Sequence, residues 1–209
     1  MQKLAILLLI LILNTYGLKA DIVYKNSSAK IEDRVNDLIA RMTLEEKFRQ
    51  LACVDNLDAY LKDPLAGGVI RNFFKYDSPA DAAKNYNKLQ RIAVEKHRLS
   101  IPVLMHDEGI NGLMSSGCTY YPVAIAQAAA WEPNLVGRIA ACTASQARSR
   151  GVYHILSPVL NICRDARWGR ICETYGEDPY LAAQMGVAFC NAMESKNIIT
   201  TIKHFISNV

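Results

Sequence analysis

The sequence contains no G-x-G-x-x-G turn, no Cys-x-x-Cys pair and no His-containing metal spacing, and its longest unbroken apolar run extends from Leu4 to Leu13. Without the glycine-rich turn there is no loop whose backbone could cradle a phosphate at a helix N-terminus, which argues against a nucleotide-binding domain. The six cysteines (Cys53, Cys118, Cys142, Cys163, Cys172 and Cys190) lack zinc-site spacing, and His106, Asp107 and Glu108 are neighbours rather than a spaced ligand set. No metal and no cofactor is therefore expected. An excess of one charge is also missing: 24 Lys and Arg against 20 Asp and Glu give a formal net charge of +4, to which Lys3 and Lys19 of the leader contribute. Neither a nucleic acid nor an anionic membrane is implied as a partner.

What is present begins with an export signal. Met1-Gln-Lys3, the apolar run and Asn14 to Ala20 read as the charged, hydrophobic and small-residue regions of a signal peptide over residues 1–20. The run is too short for a membrane span, which takes about 20 residues in a helix. A secreted or periplasmic protein, with no membrane association after cleavage, is the expectation. In such an oxidising compartment Cys163 and Cys172, which flank the most polar loop, are the first pair to examine for a disulfide. Cys142 and Cys190 lie in helical patterns, where a small buried hydrophobe is expected. The remaining chain, 51% apolar and 21% charged over the 209 residues, has globular composition.

Ile31, Val35, Leu38, Ile39 and Met42 recur at helical spacing, and Thr43-Leu-Glu-Glu46 offers a capping box for a second helix through Leu51. Short apolar runs follow at 67–71, 101–105, 154–160 and 198–203, separated by long helical segments. Ser78-Pro79, Glu132-Pro133 and Asp178-Pro179 open those helices, while Gly151 and Asn197 stand where two of them should end. This alternation predicts a parallel sheet with crossover helices. Four β-α units fit an open doubly wound sheet or a (β/α)8 barrel. About 180 residues follow the leader, against the ~250 of a typical barrel, and the last unit ends on a strand, so the chain reads as cut in mid-fold.

Chemistry in α/β folds sits at the C-terminal ends of the strands. Three polar clusters fall there: His106-Asp-Glu-Gly-Ile-Asn-Gly112, then Arg164-Asp-Ala-Arg-Trp-Gly-Arg170 with Glu173 to Asp178, then Lys203-His-Phe205. One such cluster could be a cap or a solvated loop. Three at the same end of successive strands suit a polyhydroxylated ligand, because carboxylates accept from sugar hydroxyls while Arg and Lys donate to them.

These motifs, together with Ala126-Gln-Ala-Ala-Ala-Trp-Glu-Pro133, Ser157-Pro-Val-Leu-Asn-Ile-Cys163 and the helix pair of Arg34 to Lys47, resemble the N-terminal domain of family 3 glycoside hydrolases over roughly residues 31–209. The resemblance implies an α/β fold, a (β/α)8 TIM-barrel-like glycoside hydrolase domain over 21–209, incomplete at its C-terminus. It implies a retaining, exo-acting β-glycosidase that removes terminal non-reducing β-D-glycosyl residues from oligosaccharides or β-glycosides. A β-glucosidase comes first, with a β-xylosidase or a catalytically inactive sugar-binding fragment as alternatives. It places Glu108, Arg170, Lys203 and His204 against the terminal sugar, with Asp107 beside them and Arg164 and Trp168 shaping the loop. The family's Asp nucleophile follows the Lys-His-Phe motif, so no catalytic carboxylate is assigned here. Asn161 and Asn111 stand where many members carry Asp and His. Ile206-Ser-Asn-Val209 differs from the Pro-Gly-His-Gly of the family's N-acetylglucosaminidases, which argues against that branch.

Overall fold

A computed structural model describes residues 22–54, 56–62 and 68–205. The expected signal peptide therefore lies outside the described residues. The chain forms two compact units, one up to Lys47 and one from Phe48 onward.

In the first unit, a 3-10 turn at Val23–Lys25 leads to helix α1, Ile31–Arg41. Asp37 of α1 accepts the Tyr24 N–H at 3.0 Å and is held by Arg41 one helical turn on, at 2.8 Å, and that guanidinium keeps its carboxyl below the usual range. The predicted helical stripe is present, yet Ile31, Val35 and Ile39 remain exposed. Helix α2, Leu44–Gln50, opens on the predicted capping box: the Thr43 N–H donates to Glu46 Oε2 at 2.9 Å, and the Glu46 N–H donates to Thr43 Oγ1 at 3.1 Å.

The second unit alternates β1 (Cys53–Val54), α3 (Leu57–Lys62), β2 (Val69–Arg71), α4 (Pro79–Lys96), β3 (Leu104–Asp107), α5 (Ala124–Ala128), α6 (Pro133–Ser149), β4 (His154–Ile155), α7 (Pro179–Glu194) and β5 (Ile199–Thr200). All the strand pairings are parallel and the strand order is β1-β2-β3-β4-β5. A doubly wound sheet reverses its order at a switch point; an unreversed sequential order is that of a barrel. The sheet is thus an open arc of TIM-barrel type.

Side chains alternate across each strand, and the register sorts them into two faces. Ile70 lies beside Met105, and Asp107 beside Ile155, on the face that packs under the helices, where these apolar residues are fully buried. Arg71, His106, His154 and Ile199 are successive register partners on the opposite face.

The helix signals hold. Ser78 Oγ accepts the Asp81 N–H at 3.2 Å and Asp178 Oδ1 the Leu181 N–H at 2.9 Å, each with proline next in the chain. Gly151 and Asn197 take φ of +80° and +55° where α6 and α7 end. The strands are shorter than expected and one is displaced. Residues 101–103 are not in the sheet, and α4 takes the polar groups of Val103: Gln90 Oε1 accepts the Val103 N–H at 3.0 Å and the Tyr86 hydroxyl donates to the Val103 carbonyl at 2.9 Å. Pro102 has no N–H to offer a ladder. Strand β3 consequently starts at Leu104 and includes His106 and Asp107. Strand β1 and helices α3 and α5 have no counterpart in the sequence pattern, because two to six residues carry too little periodicity. Among the described residues no disulfide links any of the six cysteines, Cys163 and Cys172 included, and Cys142 is exposed on α6 where burial is expected. The peptides Ser157–Pro158 and Lys203–His204 are cis.

Candidate active site

The C-terminal ends of β3, β4 and β5 carry the three predicted clusters, and the structure brings two of them into direct register. Past β4 the chain runs alongside the segment after β5. The Thr201 N–H donates to the Ile155 carbonyl at 3.0 Å, Lys203 N–H to Pro158 at 3.1 Å, and Leu160 N–H to Lys203 at 2.9 Å. These bonds fix where Lys203 and His204 leave the sheet.

Strand alternation separates Asp107 from Glu108. Asp107 faces the helix layer, is buried, and has both oxygens occupied: Oδ2 accepts from Asn72 Nδ2 at 2.8 Å and Ser115 Oγ at 3.1 Å, and Oδ1 accepts the Glu108 N–H at 2.8 Å. Burial pushes its carboxyl above the ordinary range, with the Asn72, Glu108 and Ser115 donors opposing. It ties the β3 end to the segment after β2. Glu108 points the other way, and Lys203 Nζ lies 3.0 Å from each of its carboxylate oxygens. The side chains are 35% and 12% exposed respectively, so the carboxylate remains open to a ligand while the ammonium is largely enclosed.

Arg170 and Glu173 face each other because a 3-10 turn, Ile171–Glu173, joins them at three residues per turn. Arg170 Nε donates to Glu173 Oε1 at 2.9 Å and Nη2 to Oε2 at 2.6 Å, a two-pronged charged pair. The guanidinium pulls the Glu173 carboxyl below its ordinary value, with Lys203 and His204 adding to the effect. Arg170 itself is raised, by the Glu173 hydrogen bond first and with Glu108 contributing. His204 donates its backbone N–H to Asn161 Oδ1 at 2.9 Å and places Nδ1 3.1 Å from the same oxygen. Partial burial lowers the imidazole pKa, Arg170 and Lys203 lower it further, and Glu173 and Glu108 oppose them. Glu108, Arg170, Glu173, Lys203 and His204 thus form one electrostatic cluster.

Of the predicted residues, Glu108, Arg170, Lys203 and His204 meet in this cluster, whereas Asp107 lies behind it. Arg164 is exposed, and Arg167 pairs with Asp165 on the loop surface at 2.5 Å. The Trp168 N–H donates to the Asp165 carbonyl at 3.1 Å, which closes the loop. Asn111 Nδ2 donates to the Tyr121 carbonyl at 3.1 Å and serves the loop after β3. Glu173 and Asn161 were not singled out as site residues. Glu173 could have been, since Arg and Glu three apart on a tight turn suggest a pair; Asn161 gave no such signal. Among the described residues no group of three His, Cys, Asp or Glu is placed to hold a metal ion, and no helix is long and apolar enough to cross a membrane.

A parallel open arc in sequential strand order, with carboxylates, cations and an imidazole at its strand ends, defines an incomplete α/β domain of TIM-barrel type. Residues 43–209 match the profile of the glycosyl hydrolase family 3 N-terminal domain, and the chain belongs to that family. It is 33% identical over 195 residues to a β-xylosidase of Formosa agariphila, covering 87% of this chain and 22% of the relative. A β-glucosidase of Rhizobium radiobacter is 38% identical over 124 residues, 56% of this chain and 15% of the relative. Among solved structures, a β-glucosidase from Erythrobacter marinus superposes with a TM-score of 0.78 at 31% identity, over 90% of this chain and 27% of that one. The chain thus spans about a quarter or less of the length of these relatives.

Proposed function

We propose that this chain forms the terminal-sugar subsite of an exo-acting, retaining β-glycosidase, with β-glucosides as the first substrate class. The observation that carries the reading is the cluster itself. Glu108 offers an acceptor held in place by Lys203, Arg170 offers donors braced by Glu173, and His204 lies beside both pairs, so a ring rich in hydroxyls meets acceptors and donors together. Asp107, expected from the sequence to touch the sugar, acts in this reading through Glu108, whose backbone it anchors.

The two reacting carboxylates, which in retaining enzymes stand about 5 to 5.5 Å apart, come in this reading from other parts of the complete enzyme. Supporting this, both carboxylates of the cluster are already committed to cations. The Formosa agariphila relative's name favours β-xylosides as the second class. Export behind a signal peptide at residues 1–20 belongs to the same proposal.

The test is hydrolysis of 4-nitrophenyl β-D-glucopyranoside and β-D-xylopyranoside by the full-length protein, with the first-formed anomer followed by NMR. Release of the β-anomer is expected. Formation of the α-anomer first, or no release from either substrate, would sink the reading. Within it, Glu173→Gln removes one charge-assisted brace from Arg170, and kcat/KM should fall about tenfold with a stability loss of no more than ~1 kcal/mol. Steady-state kinetics beside urea unfolding would check both numbers.

A further inference from the structure

Asn161 receives two hydrogen bonds from one residue, and together they determine where the His204 ring carries its proton. The backbone N–H of His204 donates to Asn161 Oδ1 at 2.9 Å. An amide NH2 could not accept that bond, so the orientation of the Asn161 side chain is fixed by the main chain. Ring Nδ1 lies 3.1 Å from the same oxygen. An amide oxygen has no hydrogen to give, so Nδ1 must be the protonated nitrogen. In a neutral ring, Nε2 then carries the lone pair and accepts.

The charged groups around the ring are Arg170 and Lys203 on one side of the balance and Glu173 and Glu108 on the other; with partial burial they leave it below its ordinary pKa and hence neutral at pH 7. Both cations are already tied to carboxylates, which keeps them as fixed donors around a neutral acceptor.

We propose that Asn161 is a positioning residue that locks His204 as the Nδ1–H tautomer, so that Nε2 presents an acceptor to a donating hydroxyl of the terminal sugar. This rests on the sugar-subsite reading above. The hydroxyl facing Nε2 must donate, so replacing it by fluorine, which cannot, would cost as much affinity as removing it. Asn161→Asp would preserve the shape but set a carboxylate against Nδ1–H. An opposite charge at that distance raises a pKa by about 1 to 3 units, which would keep the ring an imidazolium at neutral pH and turn Nε2 into a donor.

The experiment measures the inhibition constants of D-glucose and D-xylose, which do not titrate, against the full-length protein between about pH 5 and 9, the range in which a histidine titrates. Wild-type binding should be level at neutral pH and weaken in acid as the ring charges. Asn161→Asp should bind about tenfold or more weakly at pH 7 and recover at higher pH, its titration displaced upward by about one unit or more. Asn161→Leu, which adds no charge, should weaken binding without that displacement. An Asn161→Asp protein that titrates where the wild type does, whether tight or uniformly weak, overturns the proposal. Ring-15N histidine NMR on the wild type, with His204 assigned by His204→Gln, needs no Asn161 variant. It should show a protonated Nδ1, and a protonated Nε2 with bare Nδ1 would overturn the proposal equally. A wild type that binds neither sugar at any pH fails the subsite reading itself, and the Asn161 assignment falls with it.

Discussion

Replacing Lys203 by Met is expected to lower kcat/KM of the full-length enzyme on an aryl β-glycoside by about two to three orders of magnitude, equivalent to ~2.7–4 kcal/mol of lost transition-state stabilisation. Met fills the same largely enclosed space but carries no charge, so the change removes the ammonium that meets both Glu108 oxygens at 3.0 Å. Glu108 then loses its orientation as well as its counter-ion. Stripping one partner from a fully buried pair costs about 3–5 kcal/mol of stability. Here Glu108 keeps contact with water, so the fold should lose less, about 1–2 kcal/mol, with unfolding still cooperative. Lys203→Arg should recover part of the loss, because a guanidinium can span the carboxylate without matching the ammonium's position. Near-normal kinetics for Lys203→Met would remove this residue, and with it Glu108, from the sugar site.

The second large effect falls on the loop that follows Glu108. Gly112 has φ of +114°, and a Cβ there would run into the Thr119 backbone carbonyl, a neighbour that cannot rotate away. The loop is clipped on both sides of this residue. The Met114 N–H donates to the Glu108 carbonyl at 3.1 Å and the Tyr121 N–H to the Asn111 carbonyl at 2.8 Å. Gly112→Ala therefore combines a backbone penalty of about 1–3 kcal/mol with a clash that must part these two strands of loop. We expect a total of about 3 kcal/mol or more, a fall in Tm of roughly 6–12 °C for a domain of this size. Gly169→Ala is the matched control. A Cβ at Gly169 meets nothing within 4 Å, and the variant should stay within about 0.5 kcal/mol of wild type. Equal melting temperatures for the two variants would show that the Gly112 backbone can relax at little cost.

The helices were legible in the sequence because their ends are written in side-chain chemistry. Ser78 and Asp178 each precede a proline and each accept the expected N–H, and Gly151 and Asn197 adopt the left-handed backbone their positions require. Strands were less legible because what ends a strand here is a competitor elsewhere in the chain. Gln90 and Tyr86 of α4 satisfy Val103, which moves the start of β3 downstream by three residues from the expected Ile101 to Leu104. That shift also decides between the two adjacent acids. Motif position alone put Asp107 and Glu108 together at the ligand, whereas the two-residue alternation of β3 turns Asp107 under the helices and leaves Glu108 facing Lys203. Long-range pairs such as Asn161 with His204 depend on two chain segments meeting, and nothing local in either segment announces them.

The run from Ile199 to His204 has a consequence for which kinds of mutation the gene can tolerate. Its backbone bonds to the 155–160 segment set a register in which Lys203, and neither Ile202 nor His204, reaches Glu108. A slip of one residue turns every side chain to the opposite face. Deleting a single codon between β5 and His204 would present an isoleucine or an imidazole to Glu108 in place of an ammonium, even if the mean composition and hydropathy of the segment hardly changed. An insertion in the turn between α7 and β5, upstream of that register, could be looped out with the pairing intact. For this stretch of coding sequence, reading-frame-preserving indels should be purged far more strictly inside the paired segment than in the turn before it.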